Sequence, residues 1–315
     1  MTAVLDKLPT TITRTTRGLA IASLVSQILI VGTGGAVRLT DSGLGCPTWP
    51  ECTEGSLIAV PEMGIHGAIE FGNRLLTFVL VVIALAMFLA VIRLRRERPE
   101  LVGLSIALGA GIIAQAVIGG ISVLTNLNPW VVGLHFVVSA LLVSLATVLL
   151  YRVVDGPQRT RVTVPRWYLI VTAATGVLVG LTILAGIVTT GSGPHAGDHG
   201  AARNGLDSEL LQHVHSWPAY AMLLGVVVLL VSAWRLRLLR GRLFALLLLA
   251  VSAAQIIVGL AQARLGLPEV LVGTHMVLAC CLASAYTALA LSVREPRPEG
   301  ATGIAEAGSD TERVG

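Results

Sequence analysis

Residues 114–135 read AQAVIGGISVLTNLNPWVVGLH, and 140 positions later, without a gap, residues 254–275 read AQIIVGLAQARLGLPEVLVGTH. Ala114/Ala254, Gln115/Gln255, Gly119/Gly259, Leu127/Leu267, Val132/Val272, Gly133/Gly273 and His135/His275 coincide, and Val137/Val277, Leu142/Leu282 and Ser144/Ser284 extend the match. The simplest reading is a duplication. Each copy is an apolar run, a short polar break and a second apolar run with a histidine near its start. Hydrocarbon does not solvate an ionisable side chain, so such a histidine needs a partner and points to function by default. The alternative is a histidine that only hydrogen-bonds a neighbouring helix. Recurrence at the same place in both copies favours a ligand role.

Apolar residues make up 54% of the chain and charged residues 13%, with a mean hydropathy of +0.81. These values exclude a soluble domain and indicate an integral membrane protein. Aromatic residues are only 4%, so the apolar mass is Leu, Val, Ala, Ile and Gly, which suits helices packed closely in lipid through small residues. A pI of about 9.2 does not indicate nucleic acid here, because the basic residues sit in short loops between apolar runs and report topology. Four cysteines, two of them adjacent in an apolar run, are too few for a disulfide-built scaffold. The polar start leads into a spanning-length segment without a small-residue cleavage site, so no cleavable signal peptide is expected.

A helix crossing a bilayer needs about 20 apolar residues. Eight stretches qualify: 18–37, 67–92, 101–124, 130–151, 167–189, 211–234, 243–263 and 270–292. They predict an all-α polytopic membrane protein. Of the 22 basic residues, 18 fall in the N-terminal tail, loops 2–3, 4–5 and 6–7, and the C-terminal tail. Arg38, Arg203 and Arg264 lie on the other side and Arg74 within a span, so both termini are expected in the cytoplasm. Four spans per repeat make two tandem four-helix bundles related by a pseudo-twofold along the membrane normal. A weaker echo, Thr40, Ser42 and Gly43 against Thr190, Ser192 and Gly193, supports this. The expected divisions are an N-terminal half, 1–154, a C-terminal half, 155–294, and a disordered cytoplasmic tail, 295–315.

All seven histidines are expected on the outer side: His66, His135, His195, His199, His213, His215 and His275. Two sites follow, one per half, each between an even-numbered pair of spans. Paired histidines on facing membrane helices suit a planar iron porphyrin, which takes one imidazole on each face. Zinc would want more ligands, usually thiolate or carboxylate within a few residues. A proton relay of histidines and Glu70 is the competing account.

The halves differ at span 2, where His66, Glu70 and Asn73 share one helical face. A carboxylate there is expensive unless it acts or is paired, and a self-neutralising Glu70–Arg74 pair is the plain alternative. Gln212 and His215 in span 6 keep the spacing of Glu70 and Asn73, which favours His215 over His213 as a ligand. Cys46 and Cys52, in GLGCPTWPEC after span 1, stand where a disulfide is permitted, as a static staple or a redox-active pair. Cys280 and Cys281, inside span 8, read as small apolar filler.

TDSGLGCPTWPEC, IEFGNR, GLH, TTGSGPHAGD and VGTHMVLA, in this order and spacing, resemble the haem A synthase family, over nearly the whole chain. The resemblance implies a membrane haem-dependent oxidoreductase that oxidises a methyl group of haem O to the formyl group of haem A for cytochrome oxidase biogenesis. It implies haem b held by His215 and His275 in the second half. In the first half it implies substrate haem O on His135, with Glu70 as the required acid. Cys46 and Cys52 match the family's extracytoplasmic pair. Where the family often has His-Arg after the acid this chain has Asn73-Arg74, so either the substrate haem is held from one side or His66 takes the role, and His66 is the expected second ligand. A second cysteine pair found in some members is missing from loop 5–6. Arg38, Arg74 and Arg203 are candidates to bind haem propionates. The other readings are a non-enzymatic di-haem electron carrier of cytochrome b type and a repeat-built transporter with histidine gates. The partners implied are the lipid of a bacterial cell membrane, an unidentified electron donor and a haem O synthase, with a homo-oligomer compatible. The haem sites are expected towards the extracytoplasmic face.

Overall fold

The structure, a computed structural model, describes residues 8–157, 162 and 164–294. The tail expected at 295–315 lies outside them, as do Lys7, Arg159 and Arg161. Eight long helices follow one another: α1 (Arg14–Leu39), α2 (Gly64–Val91), α3 (Pro99–Leu124), α4 (Pro129–Asp155), α5 (Arg166–Ser192), α6 (Ser208–Arg235), α7 (Leu239–Arg264) and α8 (Glu269–Ser292). All eight are long and apolar enough to cross a membrane. At 1.5 Å per residue each spans roughly 36–42 Å, more than a hydrocarbon core. Helices satisfy their own backbone groups where no water is present, which is why an apolar chain of this composition folds this way.

Each helix begins earlier than apolarity alone suggests wherever a polar residue caps it. Asp207 accepts from the N–H groups of Glu209 and Leu210 and so opens α6 at Ser208 rather than at 211. Thr13 forms a capping box with Thr16 ahead of α1, and Asn128 with Pro129 opens α4. Asp155, expected as the first residue of the C-terminal half, is the last residue of α4 and pairs with Arg240 at the start of α7. The turns α3–α4 and α7–α8 carry Leu127 and Leu267 at φ 57° and 61°. That left-handed conformation costs a residue with a β-carbon roughly 1–2 kcal/mol. The side chain of Leu127 is buried against Ala196 and Ala201, which offsets the strain.

One core cluster is built from α1–α4, with Ala20, Met87, Leu101, Leu108, Ala146 and Leu149. A second is built from α5–α8, with Tyr168, Val179, Met222, Leu229, Leu248 and Leu289. Between them Val31, Val143 and Cys280 pack together, so Cys280 is apolar filler at the junction. Gly133 of α4 lies against Ile187 of α5, and its repeat counterpart Gly273 of α8 lies against Leu39 of α1. Thr147 donates to Ser284 across the same junction at 2.8 Å. Large apolar side chains such as Phe78, Leu224 and Ile257 are about two-thirds exposed, as expected where lipid is the solvent.

Candidate functional site

The three histidines near the starts of α4, α6 and α8 are seated in the same way. Each ring lies on a glycine of the preceding helix: His135 on Gly119, His215 on Gly186 and His275 on Gly259. A β-carbon at those glycines would stand 3.3, 2.8 and 3.1 Å from the Cε1 atom of the respective ring. Nδ1 of His215 meets the carbonyl of Thr182, one turn before Gly186, at 2.9 Å. A carbonyl only accepts, so Nδ1 carries the proton and Nε2 keeps a lone pair for a metal. Gln115 and Gln255 hold the position of Thr182, four residues before Gly119 and Gly259. In both halves the glutamine Oε1 and the histidine Nδ1 are buried without a hydrogen-bond partner. Tyr286, whose hydroxyl reaches the carbonyl of Thr172 over Gly176, uses the same device for packing alone. The seat therefore admits any ring; convergence is what distinguishes His215 and His275.

His215 and His275 converge. Their ring centroids are 6.2 Å apart with planes at 79°. An imidazole nitrogen binds a metal ion at about 2 Å, so two imidazoles on opposite sides of one ion hold their centres roughly 6 Å apart. The separation of the two rings, one on α6 and one on α8, matches that of two imidazoles sharing one ion. Among the described residues, no group of three or more His, Cys, Asp or Glu gathers to hold a metal. His213 is exposed and contributes only its carbonyl, to Ser216. A Gly186→Val variant is expected to push His215 off its seat and remove the low-spin absorbance of the purified protein. Gly180→Val, on the same helix in open space, should leave that spectrum unchanged.

In the first half the carboxyl of Glu70 is only 5% exposed. Its Oε2 accepts the backbone N–H of Cys46 at 2.7 Å, and its Oε1 accepts Nε and Nη2 of Arg74 at 3.1 and 2.6 Å. The plain alternative, an i, i+4 pair, is thus formed, and it does more than neutralise itself. Arg74 also donates to the carbonyls of Cys46, Thr48 and Glu51, so the pair binds the α1–α2 loop over the end of α2. Gly45 makes this approach feasible: a β-carbon there would stand 2.3 Å from the carbonyl oxygen of His66. Cys46 and Cys52 form a disulfide with both residues fully buried. Trp49, inside that loop, lies flat on Gly120 of α3. The loop is strapped across two helices with the carboxyl beneath it.

The remaining expected residues are dispersed. Asn73 accepts from the hydroxyl of Thr33 on α1 at 2.8 Å. His66 is exposed in the first turn of α2, with Nδ1 2.9 Å from the hydroxyl of Ser42. Arg38 donates to the carbonyls of His195 and Thr190, and Arg203 to those of Ala201 and Pro194, so both guanidiniums hold the α5–α6 connection. His199 is almost fully exposed, 3.9 Å from Asp41. An apolar groove of about 270 Å³ between α4 and α5 is lined by Trp130, Leu134, Val137, Leu184 and Val188. These positions lie on the side of α4 away from His135, outside the site. The sequence reading missed the seating glycines, Thr182 and Thr33. The duplicated Gly119/Gly259 was the available signal.

Together these features define a polytopic helical membrane protein in which histidine rings from different helices are seated on glycines and a buried carboxyl is held under the loop after α1. The chain belongs to the family described as cytochrome oxidase assembly protein, COX15-CtaA, which it matches over residues 17–287. Among named relatives, it is 39% identical over 132 residues to the heme A synthase of Lysinibacillus sphaericus, covering 42% of each chain. It is 36% identical over 128 residues to that of Geobacillus kaustophilus, covering 40% of this chain and 39% of the other. A further match, to the heme A synthase of Bacillus pumilus, is 36% identical over 135 residues, or 41% of each chain. These alignments span about two-fifths of the relatives' length.

Proposed function

We propose that the protein is a haem A synthase, an oxidoreductase that converts a methyl group of haem O to the formyl group of haem A. The observation that carries this reading is the seating of repeat-related imidazoles on glycine, with one pair at iron-spanning distance and a buried carboxyl in the other half alone. In this reading His215 and His275 hold haem b, and His135 binds the substrate haem. When bound, the haem irons supply the electron and oxygen chemistry. The protein's own residues hold, orient and move protons.

The seats orient the rings. His135 and His275 would present Nε2 to a haem iron, with the buried Gln115 and Gln255 standing on the preceding helices where Thr182 stands for His215. Glu70 exchanges protons near the reacting methyl. Arg74 and the Cys46 N–H hold its two oxygens, and the strapped loop keeps water away. Arg38 and Arg203 close the rim where haem propionates would lie.

We further assign the two halves to a twofold axis along the membrane normal, supported by the matching turns at Leu127 and Leu267 and the matching contacts of Gly133 and Gly273. The basic residues support cytoplasmic termini, and hence haem sites towards the extracytoplasmic face. The reaction requires an electron donor and a haem O synthase to supply substrate. Extraction of pigments from the protein expressed in cells making haem O is the test. A formyl-bearing haem is expected. Recovery of haem O and haem b alone, with no formyl product, would mark an electron carrier instead.

A further inference from the structure

The first half departs from the second at the residue that should oppose His135. Glu70 and Asn73 stand on α2 as Gln212 and His215 stand on α6, so Asn73 takes the place of the imidazole that faces His275. Local packing agrees. Asn73 meets α1 at Thr33, whose hydroxyl shares its proton between Asn73 Oδ1 and the carbonyl of Ile30. At the offset that aligns Thr40 with Thr190, Ala36 stands where α5 has Gly186, the seat of His215. Gly32, which aligns with Thr182, is covered by Val277 of α8 at 3.3 Å, and Asn73 lies against Gly34 instead.

His66 does not take over this role. It lies two turns nearer the start of α2, about 10 Å away along the helix. Its ring is exposed and tied to Ser42, beyond the end of α1, and its backbone packs against Gly45. No carbonyl-and-glycine seat receives its ring.

Resting on the haem reading above, we propose that the first site holds its haem through His135 alone and sets the Asn73 side chain on the opposite face. One axial position there stays open to a small ligand, whereas His215 and His275 close both positions of the second site. The Thr33 hydroxyl holds Oδ1 of Asn73 and its Nδ2 lies over Gly34 of the same helix, so the amide faces α1. The difference divides labour between the halves: an open site can react, and a closed one can only pass electrons.

The probe is carbon monoxide, added to the purified full chain after saturation with protohaem and reduction. Two equivalents of haem are expected, of which one binds carbon monoxide and one stays low-spin. The double variant Asn73→His with Ala36→Gly supplies both the missing ring and its seat, and should weaken carbon monoxide binding at least tenfold. His66→Ala should leave it unchanged. Carbon monoxide binding to neither haem, to both haems, or only after His66→Ala would overturn the proposal. Failure to take up two equivalents of haem would instead sink the two-site reading on which it rests.

Discussion

Replacing His275 by Ala is expected to abolish the low-spin, bis-imidazole spectrum of the purified protein while the helices still assemble. The ring sits at 6.2 Å from that of His215, on a glycine that no other side chain fills. No neighbouring residue can take its place, because Thr274 and Met276 point to other sides of α8. The lost ring leaves a pocket over Gly259, and a large-to-small change of this kind costs about 2–5 kcal/mol when fully buried. His275 is only partly buried, so the lower end applies. The signature is therefore lost through coordination rather than unfolding, and circular dichroism of the same sample separates the two. His213→Ala should leave the spectrum as it was. A low-spin spectrum that survives His275→Ala would remove this pair from consideration as axial ligands.

Glu70→Gln should have the largest effect on chemistry at a smaller structural cost than loss of the polar group altogether. Glutamine keeps one carbonyl oxygen for either the Cys46 N–H or Arg74, while its NH2 faces the other donor, so the loop strap is weakened but not lost. What is lost is the carboxylate that can take up and release a proton. General acid–base catalysis is typically worth 10²–10⁴ in rate, so formation of the formyl-bearing haem should fall at least about a hundredfold while total haem per protein is unchanged. Unchanged product would show that Glu70 only braces the loop. Glu70→Leu makes the contrast: it leaves the Arg74 guanidinium beside three carbonyls with no carboxylate, and breaking such a buried pair costs about 3–5 kcal/mol. That variant should lose protein yield as well as product.

Much of this architecture is legible in the chain before any coordinate. The eight spans and the repeat offset of 140 follow from patterns along one dimension, and so does the preference for His215, the ring that meets His275, over the exposed His213. The loop after α1 was legible only as a cysteine pair. Its strapping depends on Gly45 meeting the backbone of His66 and on Trp49 meeting Gly120, contacts that join segments far apart in sequence. Asn73 shows the limit clearly. The residue type argued against ligation, but the choice between a single-sided site and recruitment of His66 needed the partners of Ser42 and Thr33.

How many segments are long and apolar enough to enter lipid is a property each segment carries alone, since partition into hydrocarbon depends on the local run of side chains. Which imidazoles meet depends on how neighbouring helices are rotated and on side chains missing from the facing surface. A glycine opposite a histidine becomes a seat only when packing brings the two together, so that part of the site belongs to the assembled bundle.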